Sequence, residues 1–138
     1  MSGNPVADQV WRSMSSLVLD NKDGWRRAVV DRTGLPFSRI RILRRLASQP
    51  MTVKEVAEAA TIDAPAATVA VNDLETRGLV VRRPHPDNRR CKLVSLTAAG
   101  REVIAVLDDT DDPAPQALAA LDEQDLQTLR TILARVLS

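Results

Sequence analysis

Residues 52–97 read TVKEVAEAATIDAPAATVAVNDLETRGLVVRRPHPDNRRCKLVSLT, and the reading of this stretch decides the fold. Thr52 and Glu55 have the spacing of a capping box, in which each side chain satisfies a backbone N–H at the start of a helix. Met51 and Val56 fit the accompanying hydrophobic staple, so a helix is predicted from Val53. Ala60-Thr61-Ile62-Asp63 reads as a tight turn. Asp63 then caps a second helix, with Pro65 in its first turn, that runs to about Arg77, where Gly78 supplies the stop. Leu79–Arg83 and Lys92–Leu96 read as strands joined by Pro84–Arg90, a polar hairpin loop too long for a two-residue turn. Thr97 caps a further helix from Ala98 toward Leu107. A short helix, a tight turn, a helix and a hairpin make a winged helix-turn-helix.

Outward from this centre, Phe37, Ile40, Leu43, Leu46 and Ala47 form a helical stripe, with Pro36 as a first-turn residue and Arg39, Arg41, Arg44 and Arg45 on the other faces. Upstream, Val6, Val10, Met14, Leu17 and Val18 lie at helical spacing beside Trp11. Asn21–Gly24 weakens that pattern, which resumes at Trp25, Ala28 and Val29 and ends near Gly34; one bent helix and two helices are both open. Downstream, the acidic stretch Asp108–Pro115 breaks the chain, because Pro113 and Pro115 each remove a helical hydrogen bond. Asp122 and Asp125 start a last helix with a stripe of Leu126, Leu129, Leu133 and Val136, widened by Ile132 and Leu137. The expected class is mainly α with a small β-hairpin wing (α+β): a winged helix-turn-helix with N- and C-terminal helical dimerisation arms. Residues 1–34 are read as the N-terminal arm, 35–97 as the winged lobe and 98–138 as the C-terminal arm, treated together as one compact domain. The arm stripes carry more apolar surface than such a lobe can cover, which predicts a homodimer through Val10, Met14, Leu17, Leu126, Leu129, Leu133 and Val136.

Composition narrows the function. The 138 residues are 44% hydrophobic and 27% charged, which suits one globular domain and argues against disorder. Apolar runs are too short to span a bilayer, and the N-terminus has neither the basic patch nor the apolar stretch of a secretion signal. The single cysteine, Cys91, excludes an internal disulfide and fits a cytoplasmic protein. With one histidine, His85, no metal site of ordinary spacing is available. Neither a nucleophile–base set, a phosphate-cradling glycine loop nor paired catalytic carboxylates emerges, so the expectation is a non-enzyme without cofactor. Net charge is only +1, but its distribution is polar. Six basic residues (Arg77, Arg82, Arg83, Arg89, Arg90 and Lys92) face one acid, Asp87, between 77 and 92, whereas 108–125 holds seven acids and no base. One face is thereby suited to an anionic partner.

The segments Val53-Lys54-Glu55-Val56-Ala57, Leu74–Val80, the wing Arg82–Arg90 and Leu96-Thr97-Ala98-Ala99-Gly100 together resemble the MarR family of bacterial transcriptional regulators. The resemblance covers about residues 35–105 and, loosely, the arms. It implies a homodimer with interlocked outer helices, double-stranded DNA as partner with each wing in a minor groove, and repression relieved by a small-molecule effector. A major groove distinguishes base pairs, so the second helix of the motif would read them. Its exposed start, Pro65, Ala66, Thr68 and Val69, with Asn72 one turn on, is the expected reading face, although Val69 and Val71 are equally open to a core role. Arg77, Arg82, Asn88, Arg89 and Arg90 complete the expected DNA-contacting set. By resemblance Arg90 enters the groove and Arg82 holds the hairpin.

Two features depart from the family pattern. Asp63, Asp73 and Glu75 occupy a segment without Lys or Arg between Lys54 and Arg77, so the reading helix itself attracts phosphate little. The wing carries Asn88 where the family has an acid that braces its arginines, with Asp87 one position earlier. An acidic reading helix is the feature that favours the alternative, a winged-helix protein-interaction module with weak or lost DNA binding; the basic wing speaks against it. Of the remaining candidates, Cys91 as a thiol switch, the acidic run as a cation site, and Trp11 and Trp25 as effector-pocket walls each carry less than their plain readings as wing, linker and packing residues.

Overall fold

The computed structural model describes residues 3–138. Along the chain lie α1 (Pro5–Asn21), α2 (Asp23–Thr33), α3 (Phe37–Ser48), α4 (Val53–Ala60), α5 (Ala64–Thr76), β1 (Val80–Pro84), β2 (Lys92–Leu96), α6 (Ala98–Asp109), α7 (Gln116–Ala119) and α8 (Glu123–Leu137). The N-terminal stripe is therefore two helices. Pro36 stands at the N-cap of α3 rather than in its first turn, because its ψ of 145° is extended.

The side chains that open the helices do so by satisfying backbone N–H groups that have no partner within the helix. Thr52 Oγ1 accepts from Glu55 N–H at 3.1 Å and Glu55 Oε1 from Thr52 N–H at 3.1 Å, a complete capping box on α4. Asp63 Oδ1 accepts from Ala66 N–H at 2.7 Å and fixes the start of α5. Between α4 and α5 the turn places Thr61 at φ 56°, an uncommon conformation for a β-branched residue. Thr97 works in two directions: its hydroxyl donates to the Gly78 carbonyl at 2.6 Å and accepts from Gly100 N–H at 3.1 Å. Gly100 itself is needed for close approach, since a Cβ there would stand 2.2 Å from the Leu79 carbonyl oxygen.

Packing divides the chain into two units, the lobe Lys22–Asp111 and the arm unit made of the chain up to Asn21 together with Asp112–Ser138. The lobe holds a core in which Ile40, Ile42, Leu43, Val71, Leu74 and Val94 are almost fully buried. β1 and β2 pair antiparallel, with Val80 opposite Leu96 and Pro84 opposite Lys92. Met51 joins this ribbon through reciprocal backbone hydrogen bonds with Val94, of 3.1 and 2.7 Å, and so ties the wing to the segment that leads into α4. Helices α2 and α6 also belong to the lobe, whereas their sequence segments suggested arms. Val29 of α2 and Leu107 of α6 are buried in the lobe core, and Arg32 donates to Asp109 at 3.3 Å and Thr110 at 2.9 Å. Trp25 packs edge-on to Phe37 at 6.1 Å, with the cations of Lys22 and Arg44 over its ring. It is thus a packing residue of the lobe.

In the arm unit, α1, α7 and α8 contain no buried residue. Asp122 Oδ1 caps α8 by accepting from Asp125 N–H at 2.8 Å. No helix among the described residues is long and apolar enough to cross a membrane.

Candidate nucleic-acid interface

Helix α5 has two faces. Ala67, Ala70, Val71 and Leu74 are buried, while Pro65, Ala66, Thr68, Val69 and Asn72 are exposed. The question left open at Val69 and Val71 is thus resolved one each way: Val71 is core, and Val69 is 60% exposed. An exposed valine on this helix is available to touch a thymine methyl. The Thr68 hydroxyl donates to the Ala64 carbonyl at 3.1 Å, which leaves its oxygen as an acceptor.

Of the two acids on α5, Asp73 is paired, whereas Glu75 stays half exposed. Asp73 accepts from Arg39 Nε at 2.9 Å and from Arg77 Nε at 3.2 Å. Arg39 donation, opposed by desolvation and reinforced by Arg77, holds the Asp73 carboxyl below its ordinary value. Glu75 lies 3.8 Å from Arg82 Nε, and Asp63 is engaged as the cap. The sequence contained one signal for this, the four-residue spacing of Asp73 and Arg77. Arg39 was not legible as a site residue, because it reaches Asp73 from a position 34 residues away.

The wing presents Arg83, Arg89 and Arg90 as exposed side chains. Asn88 organises its tip through the backbone rather than by bracing a guanidinium. Its Oδ1 accepts from Arg90 N–H at 3.1 Å, an Asx-type turn, and its carbonyl accepts from Cys91 N–H at 3.0 Å. His85 Nδ1 accepts from Asp87 N–H at 3.0 Å, and the Cys91 carbonyl accepts from His85 N–H at 3.1 Å. The tip therefore has a defined fold although the family's acid is missing at position 88. Arg82 turns the other way, donating to Asn72 Oδ1 on α5. It joins wing to reading helix, while Arg77 is held by Asp73; of the five candidates at and beyond Arg77, Asn88, Arg89 and Arg90 lie at the tip. Among the described residues no group of three His, Cys, Asp or Glu side chains is arranged to hold a metal ion.

The other expected site lies on the arms. Val10, Met14 and Leu17 of α1 are exposed, as is Val136 of α8, and Leu126, Leu129 and Leu133 are half-buried. A groove of about 560 Å³ runs along α8 and is lined by Leu118, Leu126, Leu129, Leu133 and Leu137.

Comparison with known proteins agrees with this geometry. The MarR family model matches residues 33–90. A curated relative, the uncharacterized HTH-type transcriptional regulator YdgJ of Bacillus subtilis, is 30% identical over 106 residues, which are 75% of this chain. The chain spans 65% of the length of that relative. Wild-type apo MarR of E. coli superposes with a TM-score of 0.71 at 20% identity, covering 99% of this chain and 100% of that one. NadR, solved in complex with 4-hydroxyphenylacetate, superposes with a TM-score of 0.63 at 22% identity, covering 99% and 95%. Residues 33–90 thus match the MarR family model, and the chain shares the fold of these solved neighbours.

Proposed function

We propose that this chain is a sequence-specific double-stranded DNA-binding transcriptional regulator that acts in the cytoplasm as a homodimer. One observation carries the reading: α5 exposes Pro65, Ala66, Thr68, Val69 and Asn72 beside a basic wing, while Asp73 of the same helix is paired with Arg39 and Arg77. A helix in the major groove can read bases through such a face by hydrogen bonds and methyl contacts, and phosphate attraction can then come from Arg89 and Arg90 and from the arginines of α3. The pairing of Asp73 with Arg39 and Arg77 weakens the feature that favoured a protein-interaction module.

Two copies follow from the arms. α1 and α8 bury no residue, yet Val10, Trp11, Met14 and Val136 are exposed apolar side chains on them, and a second copy offers the same stripes in return. Repression relieved by a small molecule fits the family and the aromatic-acid complex of its neighbour NadR. The test is retention of a fragment upstream of the chain's own gene in a gel-shift titration against a scrambled duplex. Preference for the upstream fragment is expected; equal retention of both would contradict sequence-specific binding.

A further inference from the structure

Helix α3 carries four arginines and no acid, and the structure separates their roles. Arg39 reaches α5, where its Nε donates to Asp73 at 2.9 Å. Arg41, Arg44 and Arg45 lie with Ser48 on the opposite, exposed face, at the spacing i, i+3, i+4 and i+7. Among the described residues none of these three arginines forms an ion pair; Arg44 stands instead over the Trp25 ring at 5.7 Å. Like charges three and four positions apart on a helix repel, so the face is unfavourable unless anions gather on it. Its side chains border a hollow of about 340 Å³. Arg41 also borders a second hollow, of about 170 Å³, that reaches Ile62 of the interhelical turn and Ala66 of α5. The basic face therefore begins beside the exposed start of the reading helix and continues along α3. From Arg41 to Ser48 the helix rises about 10 Å, whereas one strand of a duplex carries a phosphate about every 3.4 Å of its axis. The face is thus long enough to meet more than one phosphate, and a guanidinium can hold phosphate oxygens through two parallel N–H donations.

We propose that Arg41, Arg44 and Arg45 form a rail for the phosphate backbone of the duplex that α5 reads, so that each subunit grips DNA at a third place besides α5 and the wing. This inference rests on the DNA-binding reading given above and narrows it. Arg39 is engaged by Asp73, while the other three arginines of α3 supply the attraction. Phosphate contacts position a protein without specifying sequence, so the rail raises affinity for every duplex alike.

The test uses the full-length protein and a retained duplex made with one methylphosphonate at a time, in which a methyl group replaces a charged phosphate oxygen. The parent is compared with the double variant Arg41→Gln/Arg45→Gln; Arg44 stays in place because it packs on Trp25. The parent is expected to lose affinity at a set of neutralised phosphates, and the double variant to become insensitive at two or more of them. The variant's plot of log affinity against log salt is expected to be shallower by about 2 per subunit, with its preference over a scrambled duplex unchanged. Arg41→Lys/Arg45→Lys, which keeps the charges, is expected to restore the slope. Loss of overall charge alone would lower affinity without removing sensitivity at any particular phosphate, and that result would overturn the inference, as would an unchanged slope. Titration with tripolyphosphate separates a free polyanion from the duplex. If the Gln variant lost tripolyphosphate while its phosphate map matched the parent's, the face would serve a free anion and the rail would be overturned with DNA binding intact. A parent that retains no duplex would overturn the DNA-binding reading and this inference with it.

Discussion

The lobe and the arms are built from helices of similar amphipathic pattern, yet they differ in what covers their apolar stripes. In the lobe, α3, α4 and α5 bury Ile40, Leu43, Val56, Val71 and Leu74, and the hairpin adds Val80 and Val94. In the arm unit, α1 and α8 bury nothing, and Val10 at 51% and Val136 at 69% exposure lie in their stripes. The pattern of a helix thus states that a face needs covering but not what covers it. The lobe covers its stripes within one chain; the arms leave theirs exposed, which is the basis of the proposed pairing of two copies.

Substitutions should separate the two regions. Leu43→Ala, in the lobe core, is expected to cost about 2–5 kcal/mol of folding stability by lost burial and a cavity, read by denaturant unfolding. Leu133→Asp on α8 is expected instead to convert a particle of twice 15.1 kDa into a monomer in sedimentation, because it places an unpaired charge in the pairing face. A lobe that unfolds with Leu133→Asp, or a dimer that survives it, would break the comparison. Gly100→Ala is expected to cost about 1–3 kcal/mol by thermal melting, since the new Cβ must displace the Leu79 backbone.

Within the lobe, the exposed wing contrasts with the paired arginines. Arg90→Ala is expected to weaken duplex binding by about 1–3 kcal/mol with the melting temperature unchanged. Asp73 gives the smallest effect. Its folded pKa is depressed, so its ion pairs contribute stability above the unfolded value, and that contribution is lost as pH falls through the folded value. Acid titration should therefore show Asp73→Asn lacking a part of the parent's destabilisation below about pH 3.8. The same variant frees Arg39 and Arg77 and should steepen the salt dependence of DNA binding. An acid-unfolding curve identical to the parent's would show that the Arg39 and Arg77 contacts are not maintained in solution.

Much of this was legible in the chain because it is local. Thr52, Asp63, Thr97 and Asp122 each cap the helix that their neighbours predict, and β2 has the predicted bounds; β1 is shifted by one residue. The exposed start of α5 was legible for the same reason, since Pro65 and Asp63 fix its register. What was not legible is what distant residues do to one another. Periodicity gave α2 and α6 apolar faces, but only the fold shows that Val29 and Leu107 fill the lobe core. The Met51–Val94 bridge, the Arg39–Asp73 pair and the Arg82–Asn72 contact all join separate elements, and no spacing rule announces them. The charge count alone could not show that Asp73, one of the two acids of the reading helix, is paired.

In the proposed function, two copies paired through their arm helices would each place α5 in a major groove. Hydroxyl-radical footprinting on a selected genomic duplex tests this most directly. Two symmetric protected half-sites about 10 base pairs apart, or a multiple of that helical repeat, are the predicted result. A single asymmetric footprint, or protection that does not depend on sequence, would contradict it.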